Sequence, residues 1–171
     1  LEYLKDVRDG KVLLVLFIFV LMGLHFGVEQ YGFPKLITDG LHISATMMGV
    51  IYLTIGLCLG GTVLLLRSFL EDRPKRFAYF GVGLMISGFF HSFTYLATDF
   101  TSLLVIRLLH VVGDGIVIMM TGVVVASIFP GARMGGNVGV TNLINTTGQF
   151  AGAFMAGYCI ERLSGPVGTP L

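Results

Sequence analysis

Five long apolar runs alternate with short polar segments along the chain. They cover residues 12–37, 46–69, 77–97, 102–129 and 138–160. A bilayer core takes about 20 apolar residues per helix, so each run is long enough to span. None alternates with period two, as a membrane β-barrel strand would. The pattern predicts an all-α fold, a polytopic bundle of five transmembrane helices. The connections are short, the tightest being residues 98–101. No room is left for a soluble domain.

Composition agrees with that pattern. The 171 residues are 54% hydrophobic and only 12% charged, against about 25% charged in a soluble domain. A net charge of +1 gives no sign of a nucleic-acid partner. The 24 glycines suit close helix packing in lipid. Cys58 and Cys159 lie in separate apolar runs and read as small packing residues, not a disulfide or metal site. No nucleophile–base arrangement points to an enzyme, and no cofactor or metal is expected.

The basic residues set the orientation. Lys5, Arg8 and Lys11 precede the first run; Arg67, Arg73, Lys75 and Arg76 follow the second; Arg133 follows the fourth. All eight fall on one side, expected to be the cytoplasmic side of an inner membrane. Lys35 and Arg162 fall on the other. The N-terminus is then cytoplasmic. The chain starts at Leu1 instead of Met, and residues 164–171 read as a loop toward another helix. A fragment of a larger protein is expected.

The fourth run carries the costliest residues. Arg107, His110 and Asp114 follow one another at i, i+3 and i+7, so they share one helical face. Charge within a span usually faces other helices or a water-filled cavity and serves function. The helix enters from outside, which puts Arg107 about 8 Å deep and Asp114 about 18 Å deep, near the midplane. Two turns, about 10 Å, separate Arg107 from Asp114. His110 lies between them, and histidine is the side chain that changes charge near neutral pH. The column reads as a proton relay or a site for an anionic solute; the structural alternative has Arg107 capping carbonyls and His110 packed.

Other polar positions follow helical spacing. His25 and Glu29 are one turn apart in the outer half of the first run. Glu29 could pair with Arg107, which lies at similar depth, or sit at the outer water interface. Asn142, Asn145 and Gln149 recur at i, i+3 and i+7 in the fifth run. That neutral stripe serves either hydrogen bonding between helices or the lining of a cavity. His91 reads as a packed or interface histidine. Pro34 is expected to bend or end the first helix.

Three segments, residues 70–76, 103–114 and 139–157, resemble signatures of the major facilitator superfamily. The first is Leu70, Asp72, Arg73 and Arg76 after the second run, set against the family's G-x-L-a-D-R-x-G-R-+. Ser68 and Lys75 replace its two glycines. The second is Leu103-x3-Arg107-x2-His110-Val111-x-Gly113-Asp114, set against L-x3-R-x2-Q-G-x-G-A-A. Here His110, Val111 and Asp114 are the departures. The third is Gly139-x8-Gly148-x3-Gly152-Ala153-x2-Ala156-Gly157, set against the antiporter branches' G-x8-G-x3-G-P-x2-G-G.

The resemblance implies helices one to five of an incomplete six-helix N-terminal half of a secondary transporter. It implies a cytoplasmic gating loop at Asp72, Arg73 and Arg76. It also implies close packing of Gly139, Gly148, Gly152 and Gly157 against the second half of the transporter, limiting leak. The expected activity is proton-coupled alternating-access transport of a small solute, leaning to export or antiport. Its partners would be membrane lipid, a small-molecule substrate, protons, and the second half or other membrane subunits. The alternative is a transporter-like subunit that does not transport and braces a larger membrane complex.

Overall fold

Each apolar run becomes one continuous helix in a computed structural model that describes residues 8–70, 75–129 and 131–163. The helices are α1 (Gly10–Lys35), α2 (Ala45–Leu70), α3 (Arg76–Phe93), α4 (Phe100–Ile128) and α5 (Met134–Leu163). No strand occurs among the described residues.

Local chemistry sets the helix ends. Asp9 caps α1, its carboxylate accepting from the Lys11 N–H at 2.7 Å. Pro34 lies in the last turn of α1, which gives way after Lys35 to a π-helical segment, Leu36–Gly40. Ser44 caps α2 by accepting from the Met47 N–H at 3.3 Å. Asp99 and Ser102 cap α4 reciprocally. The Ser102 N–H donates to the Asp99 carboxylate at 2.9 Å, and the Asp99 N–H donates to the Ser102 hydroxyl at 3.2 Å. Such a box satisfies two of the N–H groups that a helix start leaves unpaired.

Four described segments are long and apolar enough to cross a membrane: Gly10–Gly40, Ala45–Ser68, Arg76–Leu96 and Phe100–Ile128. Helix α5 has 30 residues, about 45 Å at 1.5 Å per residue. It has the length, but its polar positions from Asn137 to Gln149 dilute its apolar character. Leu53, Leu57, Leu64 and Leu65 on α2, Met85 and Phe89 on α3, and Phe150 and Phe154 on α5 are exposed. That outward apolar surface suits lipid.

The chain divides into two compact units, residues 1–36 with 128–171, and residues 37–127. In the first, α1 packs along α5 through glycines on both helices. A Cβ built on Gly23 would lie 2.9 Å from the Gly148 Cα, and one on Gly148 would lie 2.6 Å from the Val20 carbonyl. Gly27 and Gly152 repeat the arrangement one turn on, against Ala153 and Leu24 backbone. This is a small-xxx-small crossing on each helix. The Asn145 amide spans the crossing and donates to the Phe19 carbonyl at 3.2 Å. Gln149 in turn donates to the Asn145 side-chain oxygen at 2.7 Å.

In the second unit α4 lies against α2 and α3. A Cβ on Gly115 would meet the Thr62 methyl at 2.8 Å, and the Cys58 thiol donates to the Leu108 carbonyl at 3.7 Å. On the α3 side, a Cβ on Gly113 would lie 2.8 Å from both the Gly83 carbonyl oxygen and the Ser87 Cα. Backbone therefore runs directly over Gly113, and α3 and α4 approach more closely than any side chain there would allow.

Candidate functional site

The close crossing at Gly113 delivers Ser87 of α3 to the polar stripe of α4. Arg107, His110 and Asp114 have 2%, 0% and 7% of their surface exposed, so all three are inside the protein. They occupy one face with the apolar residues Leu103, Val117 and Val124, which are buried too. The 3.6-residue period thus carries the charged positions inward with the core.

Hydrogen-bond geometry sets the roles around His110. Its Nδ1 lies 2.8 Å from the Ser87 carbonyl oxygen. A carbonyl only accepts, so Nδ1 carries the hydrogen and donates. Nδ1 is also 3.4 Å from the Ser87 hydroxyl, but that hydroxyl donates to Asp114 Oδ1 at 2.7 Å. On the other side of the ring, His110 Nε2 stands 3.0 Å from Asp114 Oδ2. A bare Nε2 and a bare carboxylate would set two lone pairs against each other at that distance. One proton between them removes the conflict, whether written as imidazolium with carboxylate or as imidazole with carboxylic acid. Nε2 of His110 and Oδ2 of Asp114 are thus the two facing atoms that a single proton would bridge.

Two members of this cluster were not legible as site residues. Ser87 is a small polar residue in an apolar run. The spacing Gly83-x3-Ser87 is the signal that could have marked that face of α3 as a close helix contact. His91, one turn beyond Ser87, places its ring 5.3 Å from the His110 ring at a 49° tilt. It also meets the Tyr95 ring, at 6.3 Å and nearly perpendicular.

The profile of the Major Facilitator Superfamily matches residues 4–168. The chain belongs to the major facilitator superfamily. No curated protein and no solved structure matches it. It is accordingly a multi-pass integral membrane protein of a family whose work is membrane transport.

Within this major facilitator, the other sequence-marked residues fall as follows. On α1, His25 Nε2 and Glu29 Oε2 are 3.5 Å apart, both partly buried, and the His25 ring meets Phe26 edge-on at 5.4 Å. On α5, Asn145 and Gln149 are engaged in the hydrogen-bonded chain that ends on α1, whereas Asn142 is exposed. Gly148 and Gly152 face the backbone of α1, and Gly157 faces the Tyr31 ring at 3.4 Å. Around Gly139, nothing among the described residues lies within 4 Å of a built Cβ. Gly148 and Gly152 thus have α1 as their immediate partner. Of the expected gating loop, Asp72 and Arg73 lie outside the described residues. Arg76 opens α3, with its guanidinium 5.5 Å from the Phe77 ring.

Proposed function

We propose that this major facilitator couples movement of a small solute to protons, with the His110–Asp114 pair holding the coupled proton. The observation that carries the proposal is the buried 3.0 Å contact between His110 Nε2 and Asp114 Oδ2. Ser87 supplies both an acceptor for Nδ1 and a donor to Oδ1. A pair that must hold a proton to avoid repulsion changes its local interactions when the proton leaves. A transporter that alternates between two states can then be biased by that proton, to the extent that the two states differ in affinity for it.

Arg107, on the same buried face, adds positive charge for an anionic or amphipathic solute. His25, Glu29 and Asn142 are further candidate residues for solute or proton movement. The glycine signature of α5 favours export or antiport. The chain corresponds to helices one to five of an N-terminal half, with the N-terminus in the cytoplasm of an inner membrane. Asp72, Arg73 and Arg76 form the gating loop.

The test reconstitutes the full-length protein in liposomes enclosing a pH-sensitive dye. A panel of anionic and amphipathic solutes is screened for those that drive proton movement. Asp114→Asn should insert normally and abolish solute-driven proton movement. Wild-type proton movement in Asp114→Asn refutes the assignment.

A further inference from the structure

The proton on the His110–Asp114 pair has several places it could sit, and one residue removes all but one of them. An imidazole offers two nitrogens and a carboxylate offers two oxygens. Ser87 contacts one of each. Its main-chain carbonyl takes the Nδ1–H of His110 at 2.8 Å, so Nδ1 stays protonated and the exchangeable site is Nε2. Its hydroxyl donates to Oδ1 of Asp114 at 2.7 Å, which turns the carboxyl so that Oδ2 is the oxygen presented to His110. Nε2 and Oδ2 are the two atoms that face each other at 3.0 Å.

We infer that Ser87 is the positioning residue of the proton site: it confines the shared proton to the line between His110 Nε2 and Asp114 Oδ2. This rests on the proposal that the pair carries the coupled proton. The two contacts come from different parts of Ser87, and only the hydroxyl is lost on substitution. That hydroxyl is held in place by the crossing at Gly113, which sets the Ser87 backbone against α4. Ser87 is buried, with 6% of its surface exposed, so water does not readily take its place. Without the hydroxyl, the Asp114 carboxyl can turn and accept or release the proton at either oxygen.

The test uses solid-state NMR of the full-length protein in lipid bilayers, labelled with 15N-histidine and 13C-aspartate. Difference spectra with Asp114→Asn and His110→Asn assign the signals. In the wild type, His110 Nδ1 should be protonated and the proton at Nε2 should be shared with the carboxyl. Ser87→Ala should shift the Asp114 carboxyl carbon and weaken the signature of the shared proton, while the Nδ1 signal stays in place. Ser87→Cys, with a weaker donor, should shift the carboxyl carbon in the same direction by less. An Asp114 signal unmoved in Ser87→Ala overturns the inference. So does a joint shift of Nδ1 and carboxyl signals, because Ser87 would then act through helix packing as a whole. The liposome assay on Asp114→Asn stands apart. Unchanged proton movement there, with the expected Ser87→Ala spectra, removes the transport role and leaves the proton placement intact.

Discussion

Adding one methyl group at Gly113 should uncouple α3 from the proton site. The alanine Cβ would lie 2.8 Å from the Gly83 carbonyl oxygen and from the Ser87 Cα. Both atoms are helix backbone and cannot rotate away. Carbon contacts relax near 3.6 Å, and the Ser87 backbone nitrogen is nearer still, so α3 must withdraw by at least about 0.8 Å. A withdrawal of that size carries the His110 Nδ1–Ser87 carbonyl distance from 2.8 Å to about 3.6 Å, past hydrogen-bonding range. The Ser87 hydroxyl bond to Asp114 weakens with it. Overpacking costs about 1–3 kcal/mol. Interhelical hydrogen bonds in a membrane contribute about 0.6 kcal/mol each, and up to about 1.7. The expected loss is therefore about 2–4 kcal/mol.

Unfolding of the full-length protein in mixed micelles measures it. Gly122→Ala serves as the reference in the same helix, because nothing among the described residues lies within 4 Å of a Cβ there. That reference should be neutral or stabilising by up to about 1 kcal/mol, since alanine favours helix over glycine. Equal stability of the two variants would refute the argument that the crossing at Gly113 is closed by backbone contact.

Two further outcomes are expected. Asn145→Ala should cost about 0.6–1.7 kcal/mol in the same unfolding assay, because it removes the donor to the Phe19 carbonyl; stability within 0.3 kcal/mol of wild type would show the bond to be idle. Asp99 provides a pH test outside the spans. Hydrogen bonding from the Ser102 backbone N–H, reinforced by Thr98, Thr101 and the Ser102 side chain, holds its carboxyl below the ordinary value against an opposing desolvation. Its capping contribution is full above about pH 4 and is lost as pH falls through the lowered value. The protection of the Ser102 and Leu103 amides against hydrogen exchange, taken relative to their intrinsic rates at each pH, should therefore fall below that pH. Asp99→Asn, which still caps, should remove this pH dependence.

The spans were legible because they depend on local chemistry and period. Apolar runs long enough for a bilayer leave the backbone little choice but helix. The stripe Arg107, His110 and Asp114 follows from helical spacing alone, and its burial follows from the cost of charge in lipid. Family membership was legible too, from three signatures in order.

What the sequence could not show was which helix face meets which. In a soluble protein the apolar face turns inward, but in a bilayer lipid and neighbouring helices are equally apolar, so hydrophobic pattern does not separate them. Small residues decide instead, by how closely backbones can approach. Gly113 under Ser87 brings together side chains 27 positions apart. Gly23 and Gly27 on Gly148 and Gly152 join Asn145 to a carbonyl 126 positions away. The sequence by itself determined that protonatable groups lie inside a membrane helix. Only the tertiary structure decided that Ser87 of α3 meets both His110 and Asp114, because those contacts depend on a helix crossing, whereas His110 and Asp114 face each other by their i, i+4 spacing on α4.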